Sequence, residues 1–373
     1  MSSSGVDAPR GVRRSSAVHR ATTREDVARL AGVSTAVVSY VVNNGPRPVA
    51  PQTAERVREA MDLLGYRPNA SARALRLGKT ETIGLVLGDS LNPYFTQYTF
   101  ELVKAAAERG MRLLIGDSRQ DEQLEKEIVD EMIARQVDGL LFASPYSRVD
   151  HPGGPHAAGI PTVLIDCPAP VPGQRTVGSA ALAGSQAVVS HLIDHGRRRI
   201  ALIIGDKGFG DPDPRSRGWR LAHRAAGQLE GPMVTVPFTR EGGYAGGIAL
   251  LDADLGIDAV FASSDLQAIG LVRALHERGV RIPEDIAVAS FDGTMESEFS
   301  WPPLTVARQD LNALASVAID LLTAPGSAGG KHVEVPTVLV TRASCGCEDS
   351  TRPTRPTVDL QLPLPLNSPE RND

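Results

Sequence analysis

Several acidic residues stand just after short apolar runs: Asp89, Asp117, Asp166, Asp265 and Asp292. A carboxylate accepts hydrogen bonds from hydroxyls and amines, so acids recurring at strand ends suit a polyhydroxylated or amine-bearing ligand. The stretch Asn92-Pro93-Tyr94-Phe95 adds an amide and an aromatic ring able to stack on the apolar face of such a ligand. Each Asp could equally cap the helix that follows it, but the set as a whole favours a ligand cleft. A second group lies near the N-terminus, where Thr35, Ala36, Ser39, Tyr40 and Asn43 share one short helix. A helix entering the DNA major groove needs small or hydrogen-bonding groups of this kind at its N-terminal end. An ordinary helical hairpin in a bundle is the plainer reading of the same residues.

Catalytic chemistry finds little support. Gly205-Asp206-Lys207-Gly208-Phe209-Gly210 is glycine-rich after a strand, yet it fits neither the dinucleotide fingerprint nor the phosphate loop. There is no Gly-x-Ser-x-Gly elbow. His191 and His195 share a helix face with no Glu arranged between them as in a metalloprotease, and His195 sits in a last turn where it favours the negative end of the helix. The three cysteines, Cys167, Cys345 and Cys347, are too few for a disulfide framework. Cys345-Gly346-Cys347 lacks the two-residue spacing and the partner ligands of a zinc site. No catalytic residue, metal site or cofactor is therefore expected.

The elements that must position these groups fall into two kinds. Thr23 can cap a short helix with Val27, Ala28 and Leu30 on its apolar stripe; Gly32 supplies a sharp turn; Ser34 caps a second helix through Asn43. A third helix spans 52–64 and is stopped by Gly65. This is a helix-turn-helix arrangement. A short, Ala-rich segment after Asn69 is marginal as an isolated helix. From Thr82 onward, strands at 83–87, 112–116, 139–142, 162–165, 200–204, 259–262 and 286–290 alternate with helices such as 98–109, 123–135, 180–195, 216–226 and 266–278. Such alternation implies parallel sheets covered on both faces, and the number of strands implies two lobes. Ligands in such folds bind beyond the carboxyl ends of the strands.

Charge divides the chain in the same way. The net charge of the 373 residues is −5, yet residues 1–80 hold 13 Arg and Lys against 6 Asp and Glu. A basic end suits phosphates, and an acidic body stays off them. The apolar runs are far too short for a membrane span, and the Ser- and Arg-rich N-terminus is no secretory signal, so a cytoplasmic protein without a membrane partner is expected.

The run Asp26-Val27-Ala28, Ala31-Gly32-Val33-Ser34, Val38-Ser39 and Val41-Val42-Asn43, followed by Gly65-Tyr66-Arg67-Pro68-Asn69, Ala72-Arg73 and Leu75, resembles the head and hinge of the lactose-repressor (LacI/GalR) family. The likeness continues to about residue 347. It implies an all-α helix-turn-helix head plus an α/β, two-lobed, periplasmic-binding-protein-like core with parallel sheets. The boundaries expected are a disordered basic tail at 1–20, a DNA-binding domain at 21–66, a hinge at 67–80 and a core at 81–347. Lobe 1 of that core is expected at about 81–175 and 307–340 and lobe 2 at about 176–306, with a disordered Pro-rich tail at 348–373.

The resemblance also assigns roles. Thr35 and Ala36 fall on base-reading positions, as does Tyr40, which departs from the Arg of the best-known member and removes a bidentate guanine contact. Thr23, Ser34, Ser39, Asn43, Thr53 and Asn69 match phosphate-anchoring positions. Leu75, with Ala72 and Arg73 beside it, matches the hinge residue that wedges into the minor groove, although a linker residue packed on the body is the plainer reading. Phe95, Tyr244, Asp265 and Asp292 match effector-contact positions, to which strand-end position adds Asn92 and Asp166. No Arg precedes Arg215-Ser216-Arg217-Gly218-Trp219 where the family's effector-gripping Arg stands, and Arg215 is the candidate to take its place. The implied protein is a homodimeric repressor binding a palindromic double-stranded DNA operator under control of a small-molecule effector, such as a sugar. A small-molecule binding protein whose head has lost specificity is the competing reading, supported by Tyr40 alone, and a sugar-acting enzyme is the most distant.

Overall fold

The computed structural model describes residues 22–43, 45, 47–68, 74, 78–143, 155, 158–205, 213–324 and 330–348. Two compact units divide near residue 80. The first unit holds α1 (Arg24–Ala31), α2 (Thr35–Asn43) and α3 (Pro51–Leu63). Helix α1 starts in a reciprocal capping box: the Thr23 hydroxyl accepts the Asp26 N–H at 3.3 Å, and the Asp26 carboxylate accepts the Thr23 N–H at 3.0 Å. Gly32 ends the helix at φ 65°, a left-handed conformation that Gly adopts without a Cβ penalty. Val27, Val38 and Val57 are fully buried where the three helices meet, and Ala28, Ala31 and Ala60 let the helices approach closely. Thr23→Ala removes both the acceptor for the Asp26 N–H and a hydroxyl bonded to its carboxylate. It should destabilise the head by about 1 kcal/mol, read as an earlier unfolding transition in urea.

The second unit is built on two six-stranded sheets. In the first, β1 (Thr82–Leu87), β2 (Arg112–Asp117), β3 (Gly139–Ala143), β4 (Thr162–Leu164), β5 (Arg175–Ser179) and β11 (Lys331–Val335) lie in the order β11-β5-β4-β3-β1-β2, all parallel. In the second, β6 (Ile200–Ile204), β7 (Met233–Thr235), β8 (Ala259–Ala262), β9 (Ala287–Asp292), β10 (Thr305–Gln309) and β12 (Thr337–Val340) lie in the order β12-β10-β9-β8-β6-β7, parallel except for β12 against β10. Each sheet carries a separate apolar cluster on each of its faces. Burial on both faces explains why β3, β6 and β8 read as unbroken apolar runs.

Helices α4 (Pro93–Glu108), α5 (Glu122–Ala134) and α11 (Leu311–Thr323) belong to the first lobe. Helices α6 (Ala181–Asp194), α7 (Pro214–Ala225), α8 (Arg240–Asp252), α9 (Asp265–Glu277) and the short α10 (Met295–Phe299) belong to the second. Among the described residues the chain crosses between lobes three times: from β5 into α6, from β10 into α11, and from β11 through Pro336 into β12. Residues 305–309 and 337–340 therefore pair in the second sheet, whereas the sequence reading put 307–340 in the first lobe. The reason is non-local, because β12 returns to close the edge of β10 after the third crossing.

Packing is close where α7 meets α6. A Cβ at Gly218 would lie 2.4 Å from the Leu182 carbonyl oxygen, and Trp219 beside it is buried with its indole N–H donating to the Ile200 carbonyl at 3.2 Å. Among the described residues no helix is long and apolar enough to cross a membrane.

Candidate functional site

Two surfaces carry the residues singled out by sequence. On the head, Ser34, Thr35 and Ala36 are exposed at the start of α2, while Val38 on the opposite side is fully buried. The first turn of α2 holds no acidic residue, and the Ser34 hydroxyl accepts the Val37 N–H at 3.4 Å, so the positive end of the helix dipole is not neutralised by a carboxylate of its own first turn. Ser39, Tyr40 and Asn43 are half-exposed further along, and the Asn43 amide donates to the Ser39 carbonyl at 2.8 Å. The Tyr40 ring packs on Gly45, where a Cβ would lie 2.5 Å from its Cδ1. Thr53 is half-exposed in the first turn of α3. The Thr23 hydroxyl is taken up by the capping box. Asn69, Ala72, Arg73 and Leu75 lie outside the described residues, as do the expected tail at 1–20 and all of that at 348–373 except Glu348.

In the body, the carboxyl ends of β4, β9 and β10 and the first turn of α4 bring one polar chain together. The Tyr94 hydroxyl lies 3.3 Å from Asp166 Oδ1 and 3.2 Å from Gln309 Oε1. The Gln309 amide donates to Asp292 Oδ1 at 2.9 Å, and Asp292 Oδ2 accepts the Asp265 N–H at 3.4 Å. Asp166 and Tyr94 stand on the first lobe, whereas Asp292 and Gln309 stand on the second. The chain therefore spans the crevice between them. Asp166 and Asp292 both have positive φ, 53° and 116°. Such strain persists only where surrounding contacts hold it, and it clusters at ligand sites.

Arg215, in the first turn of α7, is buried and grips Asp213 with two bonds, Nε to Oδ1 at 2.9 Å and Nη2 to Oδ2 at 2.7 Å. Its Nη1 donates to the Ser263 carbonyl at 2.7 Å, and the guanidinium lies over the Phe238 and Phe291 rings. Burial alone would lower its pKa, but the Asp213 carboxylate outweighs that and raises it. Burial pushes the Asp292 carboxyl well above its ordinary value, the neighbouring Asp265 charge adds to the rise, and Arg215 opposes it. Burial also pushes Asp265 up to about 6, against the pull of hydrogen bonds from Ser290 and Thr294.

The other residues fall differently. Asp265 accepts from Ser290 Oγ at 2.6 Å and from the Thr294 N–H and hydroxyl at 2.6 and 2.7 Å, which makes it the anchor of the loop after β9. Asn92 caps α4, its side chain accepting the Tyr94 N–H at 3.0 Å, and Phe95 meets Tyr94 edge-on beside it. Tyr244 is not brought to this group. Its hydroxyl donates to Glu277 at 2.7 Å, at the far end of α9 from Asp265 and about 18 Å along the helix. Asp89 and Asp117 close loops, accepting from the backbone N–H groups of Leu91 and Arg119. Gln309 was not anticipated, because β10 carries polar residues at its end and gives no clear strand signal.

A third grouping corrects the sequence reading directly. Cys345 and Cys347 do have partners, because His191, His195, Cys345 and Cys347 bring one donor atom each to within 4.8 Å of one another.

Comparison with known proteins joins the head and the body. The model for bacterial regulatory proteins of the lacI family matches residues 23–69, and that for a periplasmic binding protein-like domain matches 189–345. The chain is 34% identical to the ribose operon repressor of Escherichia coli K12 over 306 residues, covering 80% of this chain and 92% of that repressor. This chain belongs to the LacI family. A second LacI-family relative, the regulator CelR of Thermobifida fusca, is 34% identical over 317 residues, covering 82% of this chain and 93% of CelR. Among solved LacI-family structures, the Lac repressor dimer bound to operator and the anti-inducer ONPF aligns with a TM-score of 0.76 at 26% identity, over 87% of this chain and 99% of that one. The CelR–cellobiose complex aligns at 0.62 and 30% identity, over 87% and 99%. As a LacI-family member the chain is a DNA-binding transcriptional regulator under effector control, and its curated relatives are regulators rather than enzymes.

Proposed function

We propose that this protein is a cytoplasmic repressor that binds a palindromic operator as a homodimer and is controlled by a sugar held between the two lobes, which it binds without transforming. The observation carrying the proposal is the polar chain Asp166, Tyr94, Gln309 and Asp292, which spans the crevice with hydrogen-bonding groups from both lobes. A polyol donating hydroxyls to Asp166 and Asp292 would replace those internal bonds and so alter how the lobes are held. Asn92 and Phe95 border the same end of the first lobe, and Arg215 fixes the opposite wall. Ser34, Thr35, Ala36, Ser39, Tyr40, Asn43 and Thr53 form the operator-reading face. The family likeness adds Asn69, Ala72, Arg73 and the Leu75 wedge. Two-fold symmetry doubles the few base contacts that one head can make.

A thermal-shift screen of sugars tests the effector class, since a true ligand at about 100 times its dissociation constant adds roughly 2.7 kcal/mol of stability. The acid pair gives the screen a pH signature. Both carboxyls are raised in the folded protein, Asp265 to about 6, so the pair takes up a proton as pH falls through that region. A raised acid opposes folding above its folded value, and that penalty fades as pH falls towards its unfolded value. Asp166, Arg215 and Arg342 are the other charges acting on the pair. Hydroxyl donors favour the ionised form, so calorimetric affinity for the sugar should rise with pH from about 5.5 to about 7.5. An affinity flat or falling over that range would remove the pair from the site.

A further inference from the structure

We propose that the second lobe carries a tetrahedral zinc site formed by His191, His195, Cys345 and Cys347. His191 stands in the last turn of α6 and His195 caps its C-terminal end one turn on, and their rings meet at 55° with centroids 4.5 Å apart. The two cysteines lie at the end of the described chain, Cys345 in a 3-10 turn (Ala343–Cys345) and Cys347 just past it. Gly346 between them has φ 100°, a conformation that side-chain-bearing residues rarely adopt, and it lets thiols separated by one residue face the same point.

The donor atoms already have the spacing of a coordination shell. His191 Nε2 lies 3.3 Å from Cys345 Sγ and 3.5 Å from Cys347 Sγ, and His195 Nε2 lies 3.3 Å from Cys347 Sγ. Zinc–nitrogen bonds of about 2.0–2.1 Å and zinc–sulfur bonds of about 2.3 Å at the tetrahedral angle put nitrogen and sulfur about 3.5 Å apart. Two imidazoles and two thiolates are the ligand set and the geometry that zinc favours over hard cations such as magnesium or calcium. Four protein donors leave no position open, which makes the site structural rather than catalytic.

The surroundings hold the ligands in place. The Thr305 hydroxyl lies 3.0 Å from Cys345 Sγ, where it can donate to the bound sulfur. The Ser344 hydroxyl accepts the Thr305 N–H at 2.8 Å and donates to the Val288 carbonyl at 2.6 Å, so the turn carrying Cys345 is bonded to both β9 and β10. Those are the strands that end in Asp292 and Gln309. Zinc would staple the last turn of α6 and the C-terminal turn to the sheet that supports the cleft.

The test uses the full-length protein purified under reducing conditions without chelator. Native mass spectrometry should find one zinc per chain. After zinc removal, one equivalent of cobalt(II) should give a thiolate-to-cobalt charge-transfer band and the intense visible bands of a tetrahedral centre. Cys347→Ser should roughly halve the charge-transfer intensity, and His195→Ala should weaken cobalt binding at least tenfold. Zinc should raise the melting temperature of the parent and leave that of the Cys345→Ser, Cys347→Ser double variant unmoved, with circular dichroism reporting that the variant is folded. A parent that retains no zinc and gives only the weak spectrum of hydrated cobalt overturns the proposal. So does a protein free of zinc and lighter by two hydrogens, because the cysteines would then be paired as a disulfide.

Discussion

An Ala36→Glu variant should bind the operator at least about 100-fold more weakly than the parent while melting at the same temperature. Ala36 is exposed in the first turn of α2, at the positive end of the helix dipole, and it contributes nothing to the buried cluster around Val38. Replacing Ala by Glu costs a few tenths of a kcal/mol in helix propensity, and a carboxylate near the positive end of the helix returns a similar amount. Stability is therefore insulated from the change. On DNA the same carboxylate meets base-edge acceptors and a field of phosphates in both half-sites. A single mismatched contact costs about 1–3 kcal/mol, and two symmetric ones reach the stated loss. Fluorescence anisotropy at fixed salt measures it. An unchanged affinity would mean that this end of α2 does not enter the groove, and Ala36→Ser serves as a variant that should retain binding.

The second large effect concerns the cleft. Asp292→Ala should lower effector affinity by about 10- to 150-fold, the worth of one hydrogen bond to a charged group, and leave operator affinity within about threefold. The substitution removes the acceptor of the Gln309 amide, and with it a carboxyl whose charged form is disfavoured by burial and by the neighbouring Asp265, so the two effects on stability oppose one another. Asp292→Asn keeps a polar partner for Gln309 and should recover part of the response. Calorimetry on both variants, with the operator assay run in parallel, separates a ligand contact from a folding defect. An effector response equal to the parent's would take Asp292 out of the site.

Much of the molecule was legible in the sequence, and the exceptions share a cause. The head reads clearly because its signals are local: Thr23 with Asp26, Gly32 at the turn and the apolar spacing of Val27, Val38 and Val57 all act within a few residues. The central strands read clearly because both of their faces are buried. Strands β5, β7, β10, β11 and β12 escaped notice, being three to five residues long and mixed with polar residues such as Lys331 and Glu334. The lobe boundaries depend on where the chain crosses between sheets, which periodicity cannot report. Tyr244 fell on a helix in a motif position, yet its ring direction and the length of α9 decide its partner. The His191–Cys345 contact joins residues 154 positions apart, so neither the histidine spacing nor the Cys-x-Cys spacing carried enough information alone.

The most direct measurement is a selection from random duplex oligonucleotides by the purified full-length protein, repeated with and without the sugar found in the thermal screen. One enriched sequence made of two inverted half-sites is expected, with an affinity that shifts when the sugar is present. Equal retention of every duplex, with a specificity ratio near one over random DNA under both conditions, would contradict a sequence-reading head governed by its α/β body.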